Sequence, residues 1–197
     1  MNKLEAQIVV ENTGNYDEEE IEEIIEIYET VMKHVGFKDN RRDSRFVVKF
    51  HDIFYYAPRE IEDKDEFNSL FDAFCNDMYE CIIEQAHEKN IDIDEMLHPM
   101  YVGSYQAFMI DIEEITKDNA IDVAMRVYDE YSYDGKDYVE NYVYLVDLLQ
   151  DLEDNYMEYW FDFLDGNEYY PQEMIDKMKE EYHKDMERRK AAQTLAK

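Results

Sequence analysis

Residues 137–166 read DYVENYVYLVDLLQDLEDNYMEYWFDFLDG, and this stretch decides the fold. On a helix with about 100° between residues, its apolar and acidic side chains separate onto opposite faces. The apolar face comprises Leu145, Leu148, Leu149, Leu152, Tyr156, Tyr159, Trp160 and Phe163. The pattern predicts one long helix that buries this face against the rest of the chain.

The opposite face of this helix is a row of carboxylates. Residues 137–176 contain twelve acids and no Lys or Arg. Like charges four residues apart destabilise a helix by roughly 0.2–0.5 kcal/mol per pair, so soluble helices usually mix both signs of charge. A run of acids is most often a solvated face, but a stretch that excludes every cation indicates a recognition surface. Its acids, which fall within about 80° on the helix, are Glu140, Asp147, Asp151, Asp154, Glu158, Asp162 and Asp165.

A second acidic stripe lies on a helix predicted over residues 18–35. Asp17 precedes it as a helix cap and Gly36 follows it as a stop signal. Acids in the first turn are favoured by the helix dipole, but here they continue as far as Glu29. The stripe consists of Glu19, Glu22, Glu23 and Glu26. We expect the two stripes together to form a partner-binding surface.

The composition indicates a folded protein. The chain has 197 residues, 45% of them hydrophobic, with 18 Tyr, 10 Phe and 11 Met. Disordered acidic chains are poor in aromatic residues, so this content favours a real core. No long apolar run and no signal pattern occur, and Cys75 and Cys81 are too few for a disulfide framework. These features predict a cytoplasmic protein without a membrane span.

The net charge of −30 restricts the partners. A globule of this length is about 40 Å across, and about 40 Å of duplex DNA carries roughly 24 charges. The protein therefore presents at least as much negative charge as DNA of its own length. This repulsion opposes direct binding to nucleic acid or to an anionic membrane, which leaves basic proteins or cations as partners.

The pattern of elements predicts an α+β fold that is predominantly helical, with about five helices packed on a small sheet of two or three strands. Besides the two acidic helices, we expect helices over residues 65–90, 118–131 and from 172 onward. Strands are predicted at residues 8–10 and from Phe46 toward Tyr56, where apolar residues alternate or cluster. Residues 101–115 fit both helix and strand spacing, and we favour a strand because two strands hardly make a usable sheet.

The charge distribution predicts two regions. Residues 1–175 form a single acidic globular domain, and within residues 50–175 six basic residues face thirty-three acids. Residues 176–197 form a basic helical tail with seven Lys or Arg against five acids. Three roles for the tail stay open, namely a flexible arm, a dimer contact, and an internal partner folding back on the acidic body.

Motifs for metal binding and catalysis are weak. Two Glu-x-x-His pairs, Glu84 with His87 and Glu180 with His183, are expected by chance in so acidic a chain. An EF-hand loop centred on Gly135 would place Tyr138 and Asn141 at ligand positions, which does not suit calcium. No nucleophile motif and no phosphate-binding loop occur. We therefore expect no catalytic, cofactor or metal residues, and a protein that is not an enzyme.

In composition, size and acidic helices, the chain resembles the acidic DNA-mimic inhibitors of phages and mobile elements, which are of anti-restriction and anti-CRISPR type. The resemblance is of type, with no shared motif. It implies a basic protein partner, a nuclease or another nucleic-acid-binding protein, whose DNA site the inhibitor occupies. The seven acids of the long helix carry about a third of the charge of duplex DNA of that length. A second acidic helix would therefore have to lie beside it.

Two other functions stay open from the sequence. An immunity-type module would neutralise one basic toxin or enzyme with a local patch of acids and tyrosines. A carboxylate metalloenzyme would hold iron or manganese. The sequence leaves the target and the oligomeric state open, a homodimer included.

Overall fold

The structure, a computed structural model, describes residues 1–39, 53, 55–56, 64–91, 98–101, 104–106, 112, 114–167 and 170–195. These residues form mainly α-helices. The helices are α1 (Lys3–Thr13), α2 (Glu18–Lys33), α3 (Lys64–Glu88), α4 (Ala120–Tyr131), α5 (Gly135–Gly166) and α6 (Gln172–Leu195). Two short strands, β1 (His98–Tyr101) and β2 (Ser104–Gln106), pair with each other, and a 3-10 turn (Ser132–Asp134) precedes α5.

The prediction of helices packed on a sheet of two or three strands is wrong. The segment around Ile8, expected to be a strand, belongs to helix α1. The Asn2 side chain accepts a hydrogen bond from the Glu5 N–H, the Glu5 carboxylate accepts one from the Asn2 N–H, and Gly14 ends the helix with φ 67°. This capping box and the left-handed glycine outweigh the β preference of the Ile-Val-Val run.

The other predicted strands do not build a sheet layer either. Phe46 and its alternating neighbours lie outside the described residues, while Ile53, Tyr55 and Tyr56 are helical. Within residues 101–115, the described part contributes Tyr101 at the end of β1, the whole of β2 and one isolated bridge, from Glu114 to Lys38. A pair of strands of four and three residues does not form a layer on which five helices could pack.

Five helices form close to where they were predicted. Asp17 caps α2 by accepting hydrogen bonds from the backbone N–H groups of Glu19 and Glu20. Helix α4 starts after Asn119. The Asn119 N–H donates a hydrogen bond to the Thr116 hydroxyl oxygen, and the Asn119 side-chain oxygen accepts one from the Thr116 N–H. Helix α5 spans 32 residues without interruption. The periodicity of apolar residues is therefore a sound guide to the helices of this chain.

The chain divides into two compact units. The first contains Met1–Arg41, Gln85–His98 and Gln106–Gln150, and the second contains Arg42–Glu84, Pro99–Tyr105 and Asp151–Lys197. Helices α3 and α5 contribute residues to both units, and α6, which carries the basic segment, belongs to the second. The expected boundary at residue 175 falls inside α6, because this helix starts at Gln172.

The core of the first unit forms between α2 and α4, and α1 covers another side of α2. Residues of α2 that recur every three or four positions are buried, including Ile24, Ile27 and Val31. They meet a matching face of α4 that contains Ala124 and Val127. The first part of α5 adds Tyr138, Val139, Tyr142, Leu145 and Leu149 to the buried residues of the unit.

The core of the second unit is aromatic. Trp160 is 1% exposed and makes edge-to-face contacts with Phe67 and Phe74 of α3, at centroid distances of 6.0 and 5.2 Å. Tyr182 of α6 packs edge-to-face on Phe161. Helix α6 also buries Ile175 and Met178. These contacts fix α6 on the second part of α5.

Candidate partner-binding surface

The acidic face of α5 points to solvent. All seven acids predicted for this face are exposed, while the opposite face, with Leu145, Leu149, Leu152 and Trp160, is buried. On α2, Glu19, Glu22 and Glu26 are exposed and Glu23 is half-buried. Leu148 and Tyr159, also predicted for the apolar face, are half-buried, so the division expected from the sequence agrees with surface and core except at the edge of that face.

In the first unit, ion pairs connect α2 with the first turns of α5. Glu140 Oε2 lies 3.0 Å from His34 Nε2, and Glu140 Oε1 lies 3.4 Å from Lys33 Nζ. Lys136 Nζ lies 3.8 Å from Glu26 Oε2. The two acidic helices are thus neighbours here, and two of the predicted acids are partly neutralised by cations that flank them in the fold.

The environment of Glu140 favours its charged form. Burial by itself raises the pKa of this carboxyl, but the hydrogen bonds and charges of His34 and Lys33 outweigh burial and lower the pKa. The interaction stabilises the contact between the end of α2 and the start of α5. Glu140 therefore has a structural role in the first unit besides its place in the acidic face.

Glu23 also has a partner inside the first unit. Tyr128 of α4 forms a hydrogen bond with Glu23, and its pKa is raised to about 12 by burial and by the charges of Glu20 and Glu23. A neighbouring tyrosine, Tyr16, donates a hydrogen bond of 3.0 Å to Asp129. These contacts direct the Glu23 carboxylate toward α4, which explains its lower exposure.

In the second unit, the acids of α5 have different environments. Asp151 accepts hydrogen bonds from the Tyr159 hydroxyl at 2.6 Å and from the Asn155 amide at 2.8 Å. The hydrogen bond to Asp151, together with burial and the charge of Asp151, raises the pKa of Tyr159 to about 12. Glu158 lies 3.8 Å from His183 of α6. Asp151 and Glu158 are therefore tied to neighbouring side chains.

Five of the eleven predicted acids have neither an ion pair nor a hydrogen-bonded side chain within the described part of the chain. They are Glu19, Glu22, Asp147, Asp162 and Asp165, and all five are exposed. An exposed carboxylate without a cation is available to an external one. These acids form the uncompensated part of the surface.

The basic segment of α6 forms two ion pairs within its own helix. Lys184 pairs with Glu180, and Arg188 pairs with Asp185 at 3.1 Å. Lys179 lies over the Phe161 ring at 5.8 Å, and Tyr56 donates a hydrogen bond to Asp185. Three roles were left open for the tail. The first turns of α6 pack back on the folded body, through Ile175, Met178 and Tyr182. Residues 187–195 are exposed on all sides.

The sequence patterns did not predict two features, one buried and one exposed. Glu153 of α5 is buried, with 2% exposure, and its helix position opposite the acidic face was the available signal. Helix α1 exposes Leu4, Ile8 and Val9 on its outer side. This apolar face of α1 was not predicted, because the apolar run at residues 8–10 indicates a strand.

In the described residues, no three His, Cys, Asp or Glu side chains are grouped closely enough to hold a metal ion. Nor does any described helix have the length and apolar character needed to cross a membrane. No protein-family model matches the chain, and no curated protein or solved structure matches it.

Proposed function

We propose that the protein is a DNA-mimicking inhibitor. It acts by binding rather than by catalysis, and it occupies the basic nucleic-acid-binding surface of a nuclease or another DNA-binding defence protein. The observation that carries the proposal is the row of exposed acids along α5, where Asp147, Asp162 and Asp165 have no cation partner among the described residues. We place this function in the cytoplasm, where cysteines such as Cys75 and Cys81 stay reduced and such a partner would be accessible.

The position of α2 supports the proposal further. A single helix carries too little charge to resemble duplex DNA, whose phosphates supply one charge per ~1.7 Å of axis. In the first unit, ion pairs join the C-terminal half of α2 to the first turns of α5, and the exposed Glu19 and Glu22 lie nearer the start of α2. Helix α2 therefore adds carboxylates to the same unit that carries Asp147, and a basic groove that reaches both helices gains more contacts than one helix offers. Electrostatic attraction of this kind speeds association and weakens as salt rises.

The experiment is a competition between this protein and duplex DNA for several unrelated DNA-binding enzymes, at salt concentrations from about 0.05 to 0.5 M. We expect inhibition that DNA relieves and that falls steeply with salt. The triple variant Asp147→Asn, Asp162→Asn, Asp165→Asn should inhibit about tenfold less well at low salt. The control variant Glu84→Gln, Glu181→Gln, Glu187→Gln removes the same charge from exposed positions outside the stripes and outside α1.

Three outcomes oppose the proposal. The first is inhibition of none of the enzymes. The second is inhibition of a single enzyme through a contact insensitive to salt, which favours an immunity-type module that neutralises one basic partner. The third is equal loss of inhibition in the two triple variants, which would show that net charge alone, and not the acidic stripe, determines binding.

A further inference from the structure

Helix α1 exposes apolar side chains on the side that faces away from the core. Leu4 is 66% exposed, Ile8 47% and Val9 38%, and the adjacent Met1 is 44% exposed. We call these four residues the α1 patch. Ala6 and Val10, on the other side of the helix, are fully buried. Leu4 and Ile8 are four residues apart, so they lie next to each other on the surface.

The α1 patch is unusual for this protein. Six large hydrophobic residues are exposed in the described part of the chain, and four of them form this patch. Single exposed apolar residues are common on protein surfaces, but a group of them on one helix typically marks an interaction site.

The patch is held in a fixed conformation. The Tyr28 hydroxyl of α2 donates a hydrogen bond of 2.7 Å to the Met1 carbonyl oxygen, and Lys3 pairs with Glu29 of α2 at 2.9 Å. The capping box of Asn2 and Glu5 fixes the first turn of α1. A surface ordered before binding loses little conformational entropy when a partner arrives.

The charges around the patch determine which partner it fits. Residues 1–33 contain ten acids and two lysines. Both lysines are already paired, Lys3 with Glu29 and Lys33 with Glu140. On α1 itself Glu5 and Glu11 are exposed, and its one lysine, Lys3, is paired with Glu29, so the rim of the patch is negative and complements a surface with apolar side chains surrounded by Lys or Arg. A second copy of this chain brings the same negative rim, so repulsion opposes self-association at low salt.

We infer that the α1 patch is the apolar anchor for the basic partner, a function distinct from that of the acidic stripes. The inference rests on the proposed function for the statement that the partner is basic. Protein interfaces place an apolar centre within a polar rim, and a few buried apolar or aromatic residues carry most of the affinity. Charged stripes raise the association rate and orient the partner, whereas an apolar anchor adds affinity that salt does not screen.

The test uses two synthetic peptides with equal numbers of lysines. One is an amphipathic helix of lysine and leucine, with leucines at helical spacing, and the other has glutamine in place of leucine. Binding of each fluorescent peptide is measured by anisotropy at about 0.05 and 0.5 M salt. The protein is compared with the double variant Leu4→Gln, Ile8→Gln and with Leu195→Gln, which changes a leucine that is 89% exposed outside the patch. Glutamine is a good helix former, and circular dichroism verifies that the variants stay folded.

We expect both peptides to bind at low salt and only the leucine peptide to keep measurable affinity at high salt. The double variant should lose about tenfold or more of that residual affinity, with Leu195→Gln unchanged. Salt-dependent binding of both peptides with no effect of the double variant overturns the anchor and leaves the proposed function intact. If neither peptide binds, both the anchor and the proposed function are overturned. Sedimentation that finds a dimer at low salt, abolished by the double variant, overturns the assignment by identifying a second copy as the occupant.

Discussion

The backbone of Gly135 lies so close to Ile27 that a Cβ at residue 135 would be 2.6 Å from the Ile27 Cδ1 atom. The same Cβ would be 2.9 Å from Val127 Cγ1. Gly135 has helical dihedrals, φ −58° and ψ −31°, so its conformation alone does not require glycine. The absence of a side chain allows the first turn of α5 to approach the packed faces of α2 and α4.

Gly135→Ala should therefore destabilise the protein. Alanine favours a helix over glycine by about 1 kcal/mol, but overpacking a core costs about 1–3 kcal/mol, and the stiff Val127 cannot rotate away easily. We expect a net loss of about 1 kcal/mol in the free energy of unfolding, measured by urea denaturation. Gly166→Ala is the matched control, because a Cβ at residue 166 would meet no neighbouring atom within 4 Å. Equal stability of the two variants would contradict the packing account.

Glu140→Gln should reduce stability at neutral pH. The pKa of Glu140 is lowered in the folded protein, so its stabilising contribution is complete above the ordinary value of 4.5 and disappears as pH falls below it. The carboxylate is 44% exposed, which limits the contribution to about 0.5 kcal/mol. Urea denaturation from about pH 5 down to about pH 3 measures the difference from wild type, because the pair with His34 requires a charged imidazole and the Glu140 carboxyl titrates below its ordinary range. A difference that does not shrink as pH falls through this range would exclude the ion-pair account, and Asp147→Asn on the same helix serves as the control.

Asp162→Asn should increase stability while weakening the acidic surface. Asp162 lies four residues after Glu158 and three before Asp165, so its removal relieves two repulsive pairs of roughly 0.2–0.5 kcal/mol each. We expect a higher midpoint of unfolding at low salt and a smaller difference at about 1 M salt, where the Debye length is short. Glu180→Gln, which removes a carboxylate paired with Lys184, should change stability in the opposite direction. A stabilisation unaffected by salt would show that charge repulsion is not its cause.

Cys81 should react with thiol reagents in the native protein, and Cys75 should not. Cys81 is exposed, whereas Cys75 is buried, and burial together with the charge of Asp72 raises the pKa of Cys75 to about 12. The thiolate is the reactive form, so both access and ionisation protect Cys75. A colorimetric thiol assay should detect one group in native protein and two in urea, with Cys81→Ser abolishing the native signal. Rapid native reaction of Cys81→Ser would contradict the buried environment of Cys75.

Much of the helical architecture was accessible from the sequence. The apolar period of α5 and the Asp17 cap of α2 are local signals, and both predicted elements near their observed positions. Helix α1 was not predicted, because the Ile-Val-Val run at residues 8–10 indicates a strand, whereas Asn2, Glu5 and Gly14 are the local signals of the helix. The sheet was wrong for the same reason, since short apolar runs do not distinguish a strand from a buried helix turn.

The sequence by itself determined which face of α5 is acidic and which is buried, because both follow from spacing along one helix. Only the tertiary structure decided which acids keep their charge uncompensated. The pairs that neutralise Glu140 join residues 106 and 107 positions apart, and no local rule predicts them. The exposure of Leu4 and Ile8 was likewise decided in three dimensions, since α1 buries its small side, Ala6 and Val10, and leaves the larger side chains to solvent.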